Sequence, residues 1–242
     1  MKRIATLTVD VEMDAPPYLN SWRGVEEGLP LLLDILKTLE VKATFFTLGL
    51  VAVKYPKMVS KIVEEGHELA SHGWDHRRLD KLSYSEATEN VRMSLRVLKD
   101  FGNVISFRAP NFKLPVALLK VLKEEGIEVD SSITLYKPPF YKEVKIEEGI
   151  VRVPTTHPSS VLRLPFFLLK LILPLPGSLI VLDLHPWELV EVRSLKRPDL
   201  TVGVGRRVAN NVAQTLKYLR TLGYEIVTLS ELASTKFGES GS

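Results

Sequence analysis

The sequence predicts an α/β fold in which seven or eight parallel strands, each followed by a helix, close into a barrel. Three observations predict it. Short apolar runs alternate with helical patterns along the whole chain of 242 residues. The runs are continuously apolar, as parallel strands covered on both faces should be. No linker or low-complexity stretch breaks the alternation, so residues 1–233 read as a single domain, followed by a flexible tail over 234–242.

The elements follow in order. Ile4-Ala5-Thr6-Leu7-Thr8-Val9 reads as the first strand, with Val41-Lys42-Ala43-Thr44-Phe45-Phe46 and His67-Glu68-Leu69-Ala70-Ser71 as the second and third. Residues 104–107, 126–129 and 149–153 supply short strands four to six, and 179–184 and 224–229 complete the set. Between them, residues 28–39 carry leucines on one helical face, and 55–65 form a helical pattern that Gly66 stops. Ser83-Tyr84-Ser85-Glu86 is a capping box, in which Ser83 and Glu86 satisfy each other's backbone N–H groups, and it opens a helix running to Gly102. Leu114-Pro115 starts another helix with proline early in its first turn, Gly126 ends it, and 205–222 form the last one before Gly223.

Composition narrows the class. The apolar share of 45% and charged share of 25% are those of a soluble globular protein. A net charge of +3 is too small to argue for a nucleic-acid partner. The absence of cysteine excludes disulfides, thiolate ligands and cysteine nucleophiles. Met1-Lys2-Arg3-Ile4 is basic then apolar, but Asp10 and Glu12 interrupt the apolar run too early for a signal peptide, so a cytoplasmic protein is expected. One stretch departs from the pattern: residues 161–176, VLRLPFFLLKLILPLP, are apolar apart from Arg163 and Lys170 and too short to span a membrane. They read either as a helix packed on the barrel or as an interfacial helix making peripheral membrane contact.

In a parallel barrel, functional groups collect at the carboxyl ends of the strands. Here Asp10 and Glu12 follow the first strand, and His72 and His76 follow the third. Arg108 follows the fourth, Asp130 the fifth, and His185 the strand 179–184. The chain has five histidines, and two of them stand four apart in Ser71-His72-Gly73-Trp74-Asp75-His76, on one side of a helical turn where both can reach a common cation. With a carboxylate after a neighbouring strand they suggest a facial metal site with open positions. Taken singly, each residue also has an ordinary reading as a loop histidine, a turn aspartate or a salt-bridge arginine. Their shared placement is the stronger signal.

These motifs resemble those of the polysaccharide deacetylases, the carbohydrate esterases with a NodB-type homology domain. Thr8-Val9-Asp10-Val11-Glu12 stands where that family has its acidic first motif. Ser71-His72-Gly73-Trp74-Asp75-His76 matches its histidine motif, and Arg108-Ala109-Pro110 its arginine-proline motif. Asp130-Ser131-Ser132 and Leu184-His185-Pro186 match its last two. The resemblance implies a distorted, TIM-like (β/α) barrel carrying one divalent metal, usually Zn2+, and hydrolysing N-acyl groups on amino sugars. It implies Asp10 as general base and Glu12, His72 and His76 as metal ligands. Arg108 would orient Asp10, His185 would be the general acid with Asp130 as its orienting partner, and the backbone N–H near Asn111 would be the oxyanion donor.

Amide hydrolysis needs a nucleophilic water, a sink for the oxyanion and a proton for the leaving amine. A metal, a carboxylate and a histidine supply these. Two departures from the family pattern matter. A valine separates Asp10 from Glu12, and glutamate reaches one methylene farther than aspartate, which makes Asp14 an alternative acidic ligand. Asn111 stands where many members carry tyrosine. The spaced acids followed by Arg23-Gly24-Val25-Glu26-Glu27-Gly28-Leu29-Pro30 are also similar to deformylases acting on a polyprenyl-phosphate sugar. The expected substrate is therefore an N-acylated amino sugar of a glycan or of a lipid-linked glycan precursor, met in the cytoplasm or at the membrane surface. Hydrolysis of a cyclic amide and a catalytically inactive sugar-binding barrel are the alternatives.

Overall fold

The computed structural model describes residues 2–175, 177–191 and 197–237. The strands are β1 (Arg3–Val11), β2 (Thr44–Thr47), β3 (Glu68–Ser71), β4 (Ser106–Phe107), β5 (Val129–Thr134), β6 (Lys145–Glu147), β7 (Ile150–Thr155), β8 (Leu179–Leu184) and β9 (Tyr224–Ile226). They form one mostly parallel sheet in the order β6-β7-β5-β4-β3-β2-β1-β8, with β9 paired to the start of β1. The sheet curls until its ends meet. Beyond β7, His157 makes a parallel bridge to Leu182 of β8, and the Asp183 N–H donates to the His157 carbonyl at 3.1 Å. Among the described strands, β6 alone runs antiparallel, as a hairpin with β7.

The helices are α1 (Leu29–Thr38), α2 (Gly49–Lys54), α3 (Pro56–Glu64), α4 (Tyr84–Leu98), α5 (Leu118–Glu124), α6 (Phe166–Ile172), α7 (Pro198–Thr201), α8 (Arg206–Thr221) and α9 (Leu229–Phe237). The capping box forms as expected: the Glu86 N–H donates to Ser83 Oγ, and the Ser83 N–H to Glu86 Oε2. Where the structure differs from the apolar pattern, polarity is the reason. Residues 126–129 were expected as strand five, yet β5 begins at Val129 and runs through Asp130, Ser131, Ser132 and Thr134. Those side chains are buried against polar partners on both faces of the strand, Ser131 against Arg108 and Asp130 against Arg152, so apolar periodicity does not register them.

The tail also differs. Helix α9 carries the chain to Phe237, beyond residue 234 where a flexible tail was expected, because Leu229, Leu232 and Ala233 are buried against the barrel. Residues 238–242 of that expected tail lie outside the described residues. The 161–176 stretch is split by Pro165 into a short 3-10 turn and α6. Leu162, Leu169 and Leu173 are buried, while Phe167, Leu171 and Leu175 are exposed. Among the described residues, no helix is long and apolar enough to cross a membrane.

Two layers fill the barrel. Its lower interior is apolar: Ile4, Phe46, Ala70, Val129, Val153, Leu179 and Val181 point inward, and Leu229, Leu232 and Ala233 of α9 close the floor beneath them. Hydrogen bonds seat that floor, since the Leu229 N–H donates to Thr44 Oγ1 at 2.8 Å and the Ser230 N–H to Glu68 Oε2 at 3.1 Å. Above lies a polar layer of Thr8, Asp10, Arg108, Ser131, Thr155 and Asp183. The larger outer core packs the helices on the sheet.

The segment after β1 also touches the functional end. Residues Gly24–Gly28 make one turn of π-helix that leads into α1 and lies against Pro186 and Trp187. A Cβ on Gly28 would lie 2.0 Å from the Pro186 carbonyl oxygen. Gly28→Ala should therefore lower stability by about 1–3 kcal/mol, the usual cost of overpacking, read from the urea unfolding midpoint. Gly102→Ala is the control, because its added Cβ meets only ordinary contacts at 3.6 Å and beyond. It should stay within roughly 0.5 kcal/mol of the parent.

Candidate active site

At the carboxyl ends of the strands, a buried arginine organises much of the site. Arg108, just past β4, has no exposure. Its Nη1 donates to Asp10 Oδ1 at 2.7 Å and Asp183 Oδ1 at 3.0 Å. Its Nη2 donates to Thr8 Oγ1, Ser131 Oγ and Thr155 Oγ1 at 2.7, 3.1 and 3.0 Å. The guanidinium stands 4.2 Å from the ring centre of Phe46, the top of the apolar layer. With Oδ1 of Asp10 engaged, Oδ2 is turned toward the histidines, 3.7 Å from His72 Nε2. Burial together with Asp10 pushes the Asp183 carboxyl up to about 6.

Three ligand-type side chains converge beside Asp10. Glu12 Oε2 lies 2.8 Å from His76 Nε2 and 3.4 Å from His72 Nε2. His72 Nδ1 donates to the Arg108 carbonyl at 2.8 Å, which fixes the ring and turns Nε2 inward. Glu12 Oε2 and His72 Nε2 are both wholly buried and make no hydrogen bond. Buried polar atoms without partners are rare, and two of them aimed at one point fit a missing cation. One carboxylate oxygen and two imidazole nitrogens are also the donor set that a borderline divalent metal takes. Burial would raise the Glu12 carboxyl, but the nearby imidazoles of His76, His185 and His72 hold it far below its ordinary range.

Asp14 does not join them. Its carboxylate accepts from Ser21 Oγ and the Arg23 N–H through Oδ2, and from the Gly24 N–H through Oδ1, so it caps the turn before α1. The alternative of Asp14 as the acidic ligand is thereby removed.

The last histidine has a different partner from the one expected. His185 Nδ1 donates to Glu188 Oε2 at 3.0 Å, and its Nε2 lies 3.6 Å from Glu12 Oε1. Glu188 is in turn held by Arg163, whose Nε donates to Oε1 at 2.6 Å. Burial alone would lower the His185 pKa, yet Glu12, Asp183 and Glu188 outweigh it and push it up to about 10. Asp130, expected to orient His185, instead accepts from Arg152 Nε at 2.9 Å and from Ser132 Oγ. Ser132 Oγ accepts the Ala109 N–H at 2.8 Å, so Asp130 braces the turn after Arg108. The physical reason is separation: β5 and β8 are not neighbours in the sheet, and Arg152 of β7 lies directly beside Asp130.

Asn111 closes the site from the β4 side. Its φ of 58° is left-handed, a conformation asparagine tolerates better than most side chains. The N–H groups of Phe112 and Lys113 are taken by the Ala109 and Pro110 carbonyls, whereas no hydrogen bond from the Asn111 N–H is seen among the described residues. Asp10, Glu12, His72, His76, Asn111 and His185 all line one cavity of about 300 Å³.

Sequence reasoning missed three groups. Asp183 stands two residues before His185 on one strand face, and Glu188 sits three residues after it behind a proline, as in a capping box; both signals are visible in Asp183-Leu184-His185-Pro186-Trp187-Glu188. Arg163 comes from a distant segment and left no local signal.

Both the sequence and the fold have known relatives. A family model described as polysaccharide deacetylase matches residues 2–129, more than half of the chain. The peptidoglycan-N-acetylglucosamine deacetylase PgdA of Listeria monocytogenes is 41% identical over 71 residues, 29% of this chain and 15% of that protein. Chitin deacetylase 1 of Saccharomyces cerevisiae is 31% identical over 97 residues, 39% of this chain and 32% of that protein. The matched segments thus span a third or less of these curated relatives. A Mycobacterium smegmatis structure described as a polysaccharide deacetylase superposes with a TM-score of 0.75 at 20% identity, covering 100% of this chain and 93% of that one, which establishes the fold.

The reassigned Asp130 gives a test of the geometry. Asp130→Asn deprives buried Arg152 of one partner while Glu147 remains at 2.6 Å. It should cost about 2 kcal/mol, less than loss of an only partner, and appear as a lower denaturation midpoint.

Proposed function

The chain belongs to the polysaccharide deacetylase family, and from that premise we propose that it hydrolyses the N-acyl amide, an acetamide in the simplest case, of an amino sugar in a glycan or glycan precursor. The observation that carries the reading is the meeting, in one cavity, of the Glu12, His72 and His76 donor set with Asp10 and His185. The deacetylase relatives support the reaction class.

Glu12, His72 and His76 would hold a divalent cation, zinc in our reading, which when bound polarises a water molecule and the amide carbonyl. Asp10 is placed to take the water's proton through Oδ2, because Arg108 occupies Oδ1 and fixes the carboxylate plane. The Asn111 N–H offers a donor to the oxygen that gains charge as the acyl carbon becomes tetrahedral, a contribution on the order of 3 kcal/mol in such sites. His185 faces the cavity with Nε2, its Nδ1–H being engaged by Glu188, and delivers a proton to the amine nitrogen as the C–N bond breaks. The products are a free acid and an amino sugar.

Two experiments test this. Asp10→Asn keeps the shape of the side chain but cannot accept a proton; it should reduce acetate release by roughly 10²–10⁴-fold while elemental analysis still finds about one metal per chain. His72→Ala should lose the metal. Metal loss in Asp10→Asn instead would make Asp10 a ligand rather than the base.

The acid is tested by the leaving group. His185→Ala should depress amide hydrolysis far more than hydrolysis of an aryl acetate, whose aryl oxide leaves without a proton. Glu188→Gln should give a milder form of the same asymmetry, and Asp130→Asn none. Equal losses on both substrates would place His185 outside proton delivery.

A further inference from the structure

A second cavity of about 400 Å³ adjoins the first, and Asn111, Phe112 and Lys137 belong to both. Four lysine and arginine side chains line the pair: Lys113, Lys137, Arg152 and Arg163. Both arginines are neutralised inside the fold, Arg152 by Asp130 and Glu147, Arg163 by Glu188. Asp80, the acid on the wall of the second cavity, is taken by Arg78 through contacts of 2.9 and 2.6 Å. Neither Lys113 nor Lys137 makes an ion pair or a side-chain hydrogen bond among the described residues.

The placement of Lys137 is itself built. Its backbone N–H donates to Thr134 Oγ1 at 3.0 Å, and its ammonium stands 4.9 Å from the ring centre of Phe112 and 5.6 Å from that of Tyr136. These rings hold it on the ridge between the two cavities. Partial burial lowers its pKa, and Lys113 lowers it further, while Asp183 and Asp10 pull the other way. Two unneutralised ammonium groups that repel each other beside a catalytic cavity are a poor arrangement for a neutral ligand alone. An anion between them would remove the repulsion and gain charge-assisted hydrogen bonds.

We propose that the second cavity is a subsite for an anionic substituent of the substrate, a phosphate ester or a carboxylate, held by Lys137 and Lys113 while the acyl group lies between Asp10 and His185. The proposal rests on the amino-sugar reading above and narrows it to charged amino sugars.

Equilibrium binding tests it without turnover. Calorimetry on the purified protein would compare N-acetylglucosamine, N-acetylglucosamine 1-phosphate and N-acetylmuramic acid. At least one charged sugar should bind roughly tenfold more tightly than the neutral one, and which one does so identifies phosphate or carboxylate as the source. Salt at about 0.5 M should shrink the preference. The double variant Lys113→Met, Lys137→Met should abolish it; neither ammonium is hydrogen-bonded or ion-paired among the described residues, so circular dichroism should show an unchanged fold. Equal binding of all three sugars overturns the proposal, as does a preference that survives in the double variant, which would place the anion on the Glu12, His72 and His76 cluster. Acetate release is measured separately. A lysine-dependent preference without acetate release would sink the deacetylase reading and leave the subsite standing.

Discussion

The structure depends on one guanidinium sealed inside a barrel. Arg108 reaches β1 through Thr8 and Asp10, β5 through Ser131, β7 through Thr155 and β8 through Asp183. Its own backbone adds β3, since the Arg108 N–H donates to the Ser71 carbonyl at 2.9 Å, and its carbonyl accepts the His72 ring. The upper barrel is thus bound by charge and hydroxyls where the lower barrel is bound by apolar contact. A buried arginine is tolerable only when its donors are met and its charge balanced. Here the balance comes from the two carboxylates nearest the chemistry, so the same contacts that make the interior acceptable also orient Asp10.

Carboxylates at this end are divided among cations with little overlap. Arg108 takes Asp10 and Asp183, Arg152 takes Asp130, and Arg163 takes Glu188. Among the described residues, the charged partners of Glu12 are all imidazoles. Its position is therefore the one where positive charge is still wanted, which is why the orphaned oxygen and nitrogen occur there and nowhere else among these carboxylates. The base side and the acid side of the cavity hang on different arginines, from β4 and from the turn before α6.

Most of this was legible in the chain. Apolar runs located β1, β3, β7 and β8 to within a few residues because those strands do pack between apolar layers. The site residues that stand directly after those strands came with them. Two things escaped for one reason. β5 was misplaced because its buried side chains Asp130, Ser131 and Ser132 are polar, and Asp130 was then given the wrong partner, His185. Inside a barrel whose centre is an arginine, the buried residues are polar, and a reading that equates burial with apolarity fails there. Which carboxylate meets which cation depends on strand order, which local sequence does not encode. Glu188 was nearer to hand, three residues from His185 across a proline.

The floor beneath the apolar layer carries a consequence for how the molecule is made. Leu229, Leu232 and Ala233 seal the lower interior, yet they are synthesised after every strand they cover. While the chain emerges, Phe46, Val129, Val153 and Val181 can gather into a tube, but the lower mouth of that tube stays open to water. The barrel therefore cannot dry out progressively as its strands arrive. A nascent chain stopped short of residue 229 lacks that floor and presents an unsealed apolar bore to whatever binds such surfaces in the cell.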